Sequence, residues 1–170
     1  IITNMAALIA GKTLVNLNYT ASPEAISAAI GKAGIDSVYT SRRFLKKLKL
    51  RGVDLQPLLD SVQLYYLEDL AGQISPLRKT MILIAVRLLP AALLYRLFAT
   101  APKPKQPAAI LFSSGSEGDP KGVMLSHQNI MANIHQVSDV LDTRAEDRVM
   151  ATLPLFHAFG LAVTGLIPLI

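Results

Sequence analysis

A short polar segment, FSSGSEGDPKG, interrupts the apolar second half of the chain from residue 112 to residue 122. Its glycines free the backbone N–H groups to approach an anion closely, and its serine hydroxyls are further donors. Lys121 adds a compact positive charge suited to phosphate, but it lies between a proline and a glycine, which is not the Walker A spacing. These residues predict a phosphate-binding loop, while composition alone also allows an ordinary polar hairpin loop. The hydroxyl and glycine positions are Ser113, Ser114, Gly115, Ser116, Gly118 and Gly122.

Two strands and a helix are expected to hold this segment in place. The sequence AAILF (108–112) has the pattern of a buried strand, and GVMLS (122–126) can form a second strand. Ser126 is then placed to cap a helix over 127–141. The apolar residues of that helix recur near helical spacing, which predicts a buried face made of Ile130, Met131, Ile134, Val137 and Leu141.

The first hundred residues alternate between strand and helix patterns. Strands are predicted at 13–17, 36–40 and 61–68. One helix begins at Ser22–Pro23 and stops at Gly34, and a basic helix follows Ser41. This alternation predicts an α/β fold with a largely parallel sheet flanked by helices. We divide the chain into a basic α/β segment, a proline-rich connector and a phosphate-loop segment, at 1–99, 100–107 and 108–170.

Composition and charge narrow the classes of function. Hydrophobic residues make up 51% of the 170 residues, which is too apolar for a disordered chain, and the absence of cysteine excludes cysteine-ligated metals. Residues 1–105 hold 14 basic and 6 acidic side chains, and much of this excess lies in 42–51. That stretch is a solvated helix face or a contact for anionic lipid or an acidic protein. A nucleic-acid partner is not expected, because no aromatic platform or recognition motif accompanies it.

The apolar stretch 74–98 raises the question of a membrane segment. Arg87 and Arg96 interrupt it and Pro90 would kink it. Each arginine at the bilayer centre costs roughly 2.5–3.5 kcal/mol, so a spanning helix is not expected. On one continuous helix Arg87 would lie opposite Arg78 and Arg96, which argues against a regular interfacial helix. One or two packed helices are therefore predicted, with a membrane-surface element as the alternative.

The polar segment resembles the signature of the adenylate-forming (AMP-binding) superfamily, which reads roughly [YF]-T-S-G-[ST]-T-G-x-P-K-G. It agrees at every defined position except Ser113, which keeps a hydroxyl, and Glu117, which does not. The sequence LPLFHAFGL (153–161) resembles the next block of that superfamily, P-x-F-H-x-x-G, and 11–41 resembles the segment before the signature. With its glutamate, the motif more narrowly resembles the synthetase part of the bacterial bifunctional 2-acylglycerophosphoethanolamine acyltransferase/acyl-[acyl-carrier-protein] synthetase family.

The resemblance implies part of the N-terminal domain of an acyl-adenylate-forming ligase, with ATP and Mg²⁺ as cofactors. The complete protein would activate a fatty acid, load it onto acyl carrier protein, and serve lysophospholipid re-acylation at the cytoplasmic face of the bacterial inner membrane. Further superfamily blocks and the catalytic lysine are not found in these residues, so no catalytic residue is assigned and the segment alone is expected to be inactive. A stand-alone acyl-CoA synthetase is the alternative enzyme. A non-catalytic membrane-docking module that uses 42–51 and 74–98 is the alternative of another class.

Individual residue roles are also implied by the resemblance. Glu117 belongs to the loop, but a carboxylate is repelled by a triphosphate unless Mg²⁺ or Lys121 intervenes, so it is expected to reach Mg²⁺ or turn to solvent. His157 matches a histidine at the acyl and adenylate pocket, where it resembles a gate or a wall; a core histidine bonded to backbone is the alternative. The histidine spacing and the scattered acids predict no zinc site. The residues expected to contact the β- and γ-phosphates of ATP are Ser113, Ser114, Gly115, Ser116, Gly118 and Lys121.

The substitution Glu117→Thr tests the expected metal contact in the complete protein. If Glu117 reaches Mg²⁺, removing the carboxylate raises the Mg²⁺ concentration needed for half-maximal ATP binding by about threefold or more. The measurement is a calorimetric titration of ATP at a series of Mg²⁺ concentrations. Unchanged ATP affinity together with unchanged Mg²⁺ dependence would exclude the metal contact and leave the side chain in solvent.

Overall fold

The computed structural model describes residues 1–101, 103–113, 120–144 and 146–169. Contacts divide the chain into two compact units: unit 1 combines Ile1–Asn18 with Ala101–Ile170, and unit 2 is Tyr19–Thr100. Strands and helices alternate in both units, so the predicted α/β class is confirmed. The sequence division into basic segment, connector and phosphate-loop segment stays a prediction.

The described elements follow one another in the order expected of an α/β chain. The strands are β1 Leu14–Val15, β2 Ser37–Thr40, β3 Gln63–Tyr66, β4 Pro107–Ser113 and β5 Lys121–Ser126. The helices are α1 Ile2–Ile9, α2 Pro23–Ala33, α3 Arg42–Lys49, α4 Gln56–Leu59, α5 Leu67–Gln73, α6 Pro76–Leu88, α7 Ala91–Phe98 and α8 His127–Leu141. A π-helix at Gly160–Leu166 and a 3₁₀ turn at Ile167–Leu169 follow.

Unit 1 is built on a mixed sheet in the order β1-β4-β5. Strand β1 pairs parallel with β4, whereas β4 and β5 pair antiparallel. The antiparallel pairing follows from chain length, because the short connection between β4 and β5 cannot make the dozen-residue crossover that a parallel pair needs. On the central strand, Ala108 and Ala109 are completely buried, and Ile134 of α8 belongs to the same core cluster. The strand that leads into the polar motif therefore runs through the core of unit 1.

Helix α8 begins directly after β5, as the sequence predicts. The Ser126 hydroxyl accepts a hydrogen bond from the Asn129 backbone N–H at 3.1 Å, and the Asn129 side chain accepts one from the Ser126 backbone N–H at 3.0 Å. This reciprocal capping box satisfies two backbone donors at the start of the helix. The predicted buried face is too wide, however: Ile130 and Ile134 are buried and Val137 is half-buried, but Met131 and Leu141 are exposed. Only the narrow stripe that faces the sheet and the π-helix finds partners.

Unit 2 contains the parallel pair β2–β3 and the capped helix α2. The Ser22 hydroxyl accepts from the Ala25 backbone N–H, and Gly34 ends the helix with a left-handed φ of 58°, so both predicted helix boundaries are confirmed. The predicted strand 61–68 is too long. It stops at Tyr66, because Leu67 starts α5, whose first-turn acids favour a helix N-terminus.

An ion pair and a cap join α3 to the start of α5 within unit 2. Both terminal nitrogens of Arg42 donate to the Asp69 carboxylate at 2.6 Å, and the guanidinium lies 4.0 Å from the centre of the Tyr66 ring. The Arg42 hydrogen bonds lower the pKa of Asp69 below its usual value. The Ser41 hydroxyl caps α3, as predicted, and donates to Glu68 at 2.7 Å. These exposed contacts set the direction of α3 more than they add stability.

The prediction of packed helices over 74–98 is only partly right. Two helices form, α6 and α7, and the break falls before Pro90, which lacks a backbone N–H and resists a helix interior. The two helices contact each other and Ala85 and Leu94 are half-buried, but neither helix has a fully buried residue, so the packing is looser than predicted. Within the described part of the chain, we find no helix whose length and hydropathy would let it cross a bilayer.

The core of unit 1 is expected to be most sensitive at Ile134, which is 2% exposed. We expect Ile134→Ala to lower the free energy of unfolding by about 2–5 kcal/mol, because the lost methyl groups leave a cavity beside β4. Urea unfolding followed by circular dichroism measures the change. The matched control on the same helix is Val140→Ala, which is 84% exposed and should stay within about 0.5 kcal/mol of the original chain. Equal effects of the two substitutions would contradict this packing of α8.

Candidate functional site

The two ends of the polar motif meet at the open end of the β4–β5 hairpin. Ser113 is the last residue of β4 and pairs in register with Lys121, the first residue of β5. The Ser113 hydroxyl donates to the Lys121 backbone carbonyl at 3.4 Å. Both residues are exposed, so the serine hydroxyl and the lysine ammonium are accessible from the same end of the hairpin. The predicted arrangement of a strand on each side of the motif is confirmed, and both strands extend one residue further into it than predicted.

Gly122 lies close to side chains of the neighbouring strand. A Cβ added there would lie 3.1 Å from a ring carbon of Phe112 and 3.3 Å from a methyl group of Ile110. A side chain at this position would require the Phe112 ring to move by a few tenths of an ångström. Pro120, directly before the lysine, is buried. The lysine backbone is therefore held from both sides while its side chain faces water.

The remaining motif residues lie outside the described residues. Their assignment as phosphate or Mg²⁺ contacts stays a prediction for Ser114, Gly115, Ser116, Glu117 and Gly118. What the structure brings together is the first and the last predicted contact, Ser113 and Lys121. A hydroxyl and an ammonium side by side at a solvent-open end can hold an anion such as phosphate. No group of three His, Asp or Glu side chains placed to hold a metal ion occurs in 1–101, 103–113, 120–144 or 146–169.

His157 lies on a separate segment of unit 1, in the block between β5–α8 and the chain end. Its side chain is exposed, and its ring centre is 4.6 Å from that of the buried Phe156, tilted by 52°. Its backbone N–H donates to the Pro154 carbonyl at 3.1 Å. The Asn16 amide, just after β1, donates to the Leu155 carbonyl at 3.2 Å and so connects this block to the sheet. The alternative of a buried core histidine is wrong, and a role in an acyl pocket stays a prediction.

A π-helix follows the histidine and is held by close packing. The buried Thr164 hydroxyl donates to the Gly160 carbonyl at 2.7 Å, one turn earlier. Gly160 itself packs so tightly that an added Cβ would overlap the Pro154 carbonyl oxygen. π-Helical turns are rare and occur often at functional sites, because they shift the register of the side chains that follow. Sequence patterns do not signal this turn.

An apolar cavity of about 420 Å³ lies between α8 and the π-helix. Its walls are mostly aliphatic and aromatic, and Asn129 and Asn133 add side-chain amides from α8. Ala158 and Phe159, directly after His157, form part of the opposite wall. Sequence reasoning missed this cavity. The available signal was the pair of asparagines four residues apart, which places two amides on one face of an otherwise apolar helix.

Comparison with known proteins gives the family. The sequence profile described as "AMP-binding enzyme" matches residues 1–170. The chain belongs to the AMP-binding enzyme family. The matched range includes the hairpin with Ser113 opposite Lys121 and, in the same unit, the block around His157.

Similar proteins include ligases of several acids. A sulfoacetate–CoA ligase of Cupriavidus necator is 46% identical over 69 residues, which are 41% of this chain and 14% of that protein. A chloroplastic long-chain-fatty-acid–[acyl-carrier-protein] ligase of Arabidopsis thaliana is 42% identical over 52 residues, 31% of this chain and 7% of that protein. The matched parts thus span far less than half of these relatives.

Solved structures support the fold over almost the whole chain. ATP-bound MatB from Rhodopseudomonas palustris superposes with a TM-score of 0.69 and 21% identity, over 99% of this chain and 30% of that one. At this identity the similarity shows the fold alone. It agrees with the predicted α/β architecture of part of the N-terminal domain of an adenylate-forming ligase. The sheet was predicted to be largely parallel; β1–β4 and β2–β3 are parallel, and β5 makes the sheet of unit 1 mixed by pairing antiparallel with β4.

Gly160 gives a test of the packing that holds the His157 block. We expect Gly160→Ala to destabilise the chain by about 1–3 kcal/mol or more, because the new methyl group meets backbone atoms that cannot rotate away. Thermal unfolding followed by circular dichroism measures the loss. The control is Gly31→Ala in α2, where an added Cβ meets nothing within 4 Å and helix propensity favours alanine. If Gly160→Ala is as stable as Gly31→Ala, the close approach to Pro154 is not present.

Proposed function

We propose that this chain carries the ATP-phosphate-binding hairpin of a ligase that activates a fatty acid as its acyl-adenylate. The observation that carries the proposal is the pairing of Ser113 with Lys121 at the exposed end of a hairpin in an AMP-binding enzyme. The fatty-acid substrate is supported by the long-chain-fatty-acid ligase among the relatives and by the apolar cavity beside the His157 block. The catalytic lysine of the superfamily is expected outside these residues.

The described donors fit the phosphates of ATP. Lys121 supplies a positive charge and Ser113 a hydroxyl, which together can hold and orient a phosphate chain. In the first step the fatty-acid carboxylate attacks the α-phosphorus, and pyrophosphate leaves with the electrons of the bond that breaks. The role of this hairpin is to fix the departing phosphates and stabilise their charge. Mg²⁺, when bound, would supply further charge neutralisation, and the Glu117 carboxylate is an oxygen ligand of the kind that Mg²⁺ takes.

The acyl acceptor is the finer part of the proposal. In the second step a thiol sulfur attacks the acyl carbonyl, the thiol gives up its proton, and AMP leaves. We propose the phosphopantetheine thiol of acyl carrier protein as that group, on the strength of the motif glutamate and of the acyl-carrier-protein ligase among the relatives. From the resemblance to the bifunctional acyltransferase/synthetase family we also propose that the complete protein re-acylates lysophospholipid at the cytoplasmic face of the bacterial inner membrane.

Coenzyme A is the second candidate acceptor, because a CoA ligase is also among the relatives. Acceptor competition separates the two. With the complete protein, radiolabelled palmitate and ATP, labelled acyl carrier protein should form faster than labelled palmitoyl-CoA at equal acceptor concentration. Preference for CoA would overturn the carrier-protein assignment without affecting the adenylation step.

The central test of the proposed function is Lys121→Ala in the complete protein. Removing the ammonium should lower the rate of fatty-acid-dependent ATP–pyrophosphate exchange by about tenfold or more, since a charge held against the phosphates is lost. The matched control is Lys105→Ala, an exposed lysine before β4, which should leave the exchange rate within about twofold. Exchange that survives Lys121→Ala at the control rate would contradict the assigned role of the hairpin.

A further inference from the structure

Helix α6 carries an apolar stripe that no other part of the described chain covers. Four side chains on one face, at spacings of four, three and four residues, are 72%, 61%, 51% and 74% exposed, while Leu83 and Val86 on other faces of the helix are 67% and 56% exposed. The stripe is defined as Leu77, Met81, Ile84 and Leu88. Single exposed apolar residues are normal, but a continuous row of this kind marks a surface that contacts something other than water.

Two arginines border the stripe. At about 100° per residue, Arg87 lies roughly 90° to one side of its centre, and Arg78 lies roughly 90° to the other. Because Pro90 separates α6 from α7, Arg96 does not share this helix. On α6 alone, Arg78 and Arg87 lie on opposite sides of the stripe. Both cations can therefore reach outward beside an inserted apolar face.

The charge around this surface limits the kinds of partner that can bind it. Within unit 2, residues 70–100 hold four lysines and arginines and no acidic residue. A complementary partner must therefore be anionic as well as receptive to aliphatic side chains. Helix α7 adds the half-exposed aromatics Tyr95 and Phe98, and such rings favour the boundary between headgroups and acyl chains. Helix α6 has 13 residues, about 20 Å, and can lie on a bilayer but is too short to span its hydrocarbon core of about 30 Å.

We infer that α6 and α7 form a docking surface for an anionic lipid bilayer, in which the stripe enters the headgroup region and Arg78 and Arg87 contact lipid phosphates. In this arrangement α6 lies along the membrane surface and does not cross the bilayer. This inference is independent of the proposed ligase chemistry, because it uses no residue of the hairpin or of the His157 block. Loss of vesicle binding and loss of ATP–pyrophosphate exchange are therefore separate results.

Vesicle co-sedimentation of the full chain tests the docking surface. The probes are phosphatidylcholine vesicles and vesicles with about 30% phosphatidylglycerol, at low and high salt. We expect preferential binding to the anionic vesicles that weakens with salt. The variant Leu77→Gln/Leu88→Gln should lower partitioning about tenfold, and Arg78→Gln/Arg87→Gln should remove the preference for anionic lipid. Glutamine is chosen because it keeps helix propensity, and equal circular dichroism spectra check that each variant is folded.

Matched controls distinguish binding through this surface from nonspecific adsorption to the vesicles. The substitutions Val140→Gln and Met150→Gln remove apolar residues that are 84% and 81% exposed in unit 1, and should change binding by less than about twofold. Arg43→Gln/Arg51→Gln removes two exposed cations at α3 and should also leave most binding in place. Unchanged binding by the stripe variant, or an equal loss of binding by the control variants, overturns the inference. So does a stripe variant that changes only self-association on gel filtration, since the surface would then contact a second copy.

Discussion

The pairing between β4 and β5 is the interaction on which the candidate site depends. Strand β4 is fixed on one side by β1 and is buried at Ala108 and Ala109, so its exit point from the core is set by packing. Strand β5 returns antiparallel and aligns Lys121 with Ser113 through ladder hydrogen bonds. A one-residue slip would move Lys121 away from Ser113 and reverse the faces of all side chains along β5. The bare Cα of Gly122 under the Phe112 ring helps to hold this register.

The same sheet also positions the second block of the site. Asn16 connects the end of β1 to Leu155, and α8 packs its buried stripe against the core that contains Leu161 and Leu166 of the π-helix. Strand β4 and the π-helix that follows His157 thus contribute to one hydrophobic core. An apolar cavity lies beside the histidine, while Ser113 and Lys121, the proposed phosphate donors, are exposed to water. Apolar and anionic parts of one substrate complex need such separate surroundings.

The two basic segments of unit 2, at α3 and at α6, place their cations in different surroundings. In α3, Arg42 and Lys49 are paired with Asp69 and Asp54, so part of the basic stretch serves internal contacts. In α6 the cations instead border exposed aliphatic residues. The two basic segments therefore have distinct physical roles, although composition makes them look alike. Around α6 the charge is combined with several exposed apolar residues, which is the combination that favours a lipid surface.

The ends of several helices were predictable from the sequence alone. Ser22 with Pro23 and Gly34, and likewise Ser41 and Ser126, predicted helix ends correctly, because caps satisfy nearby backbone groups and depend little on distant residues. The strands on either side of the motif and the resemblance to the family signature were equally local. Tertiary contacts decided the rest: the antiparallel return of β5, the end of β3 at Tyr66, the exposed Met131 and Leu141, the π-helix and its cavity, and the uncovered α6. Each of these depends on which surfaces meet, and burial and long-range pairing are not encoded in any short window of residues.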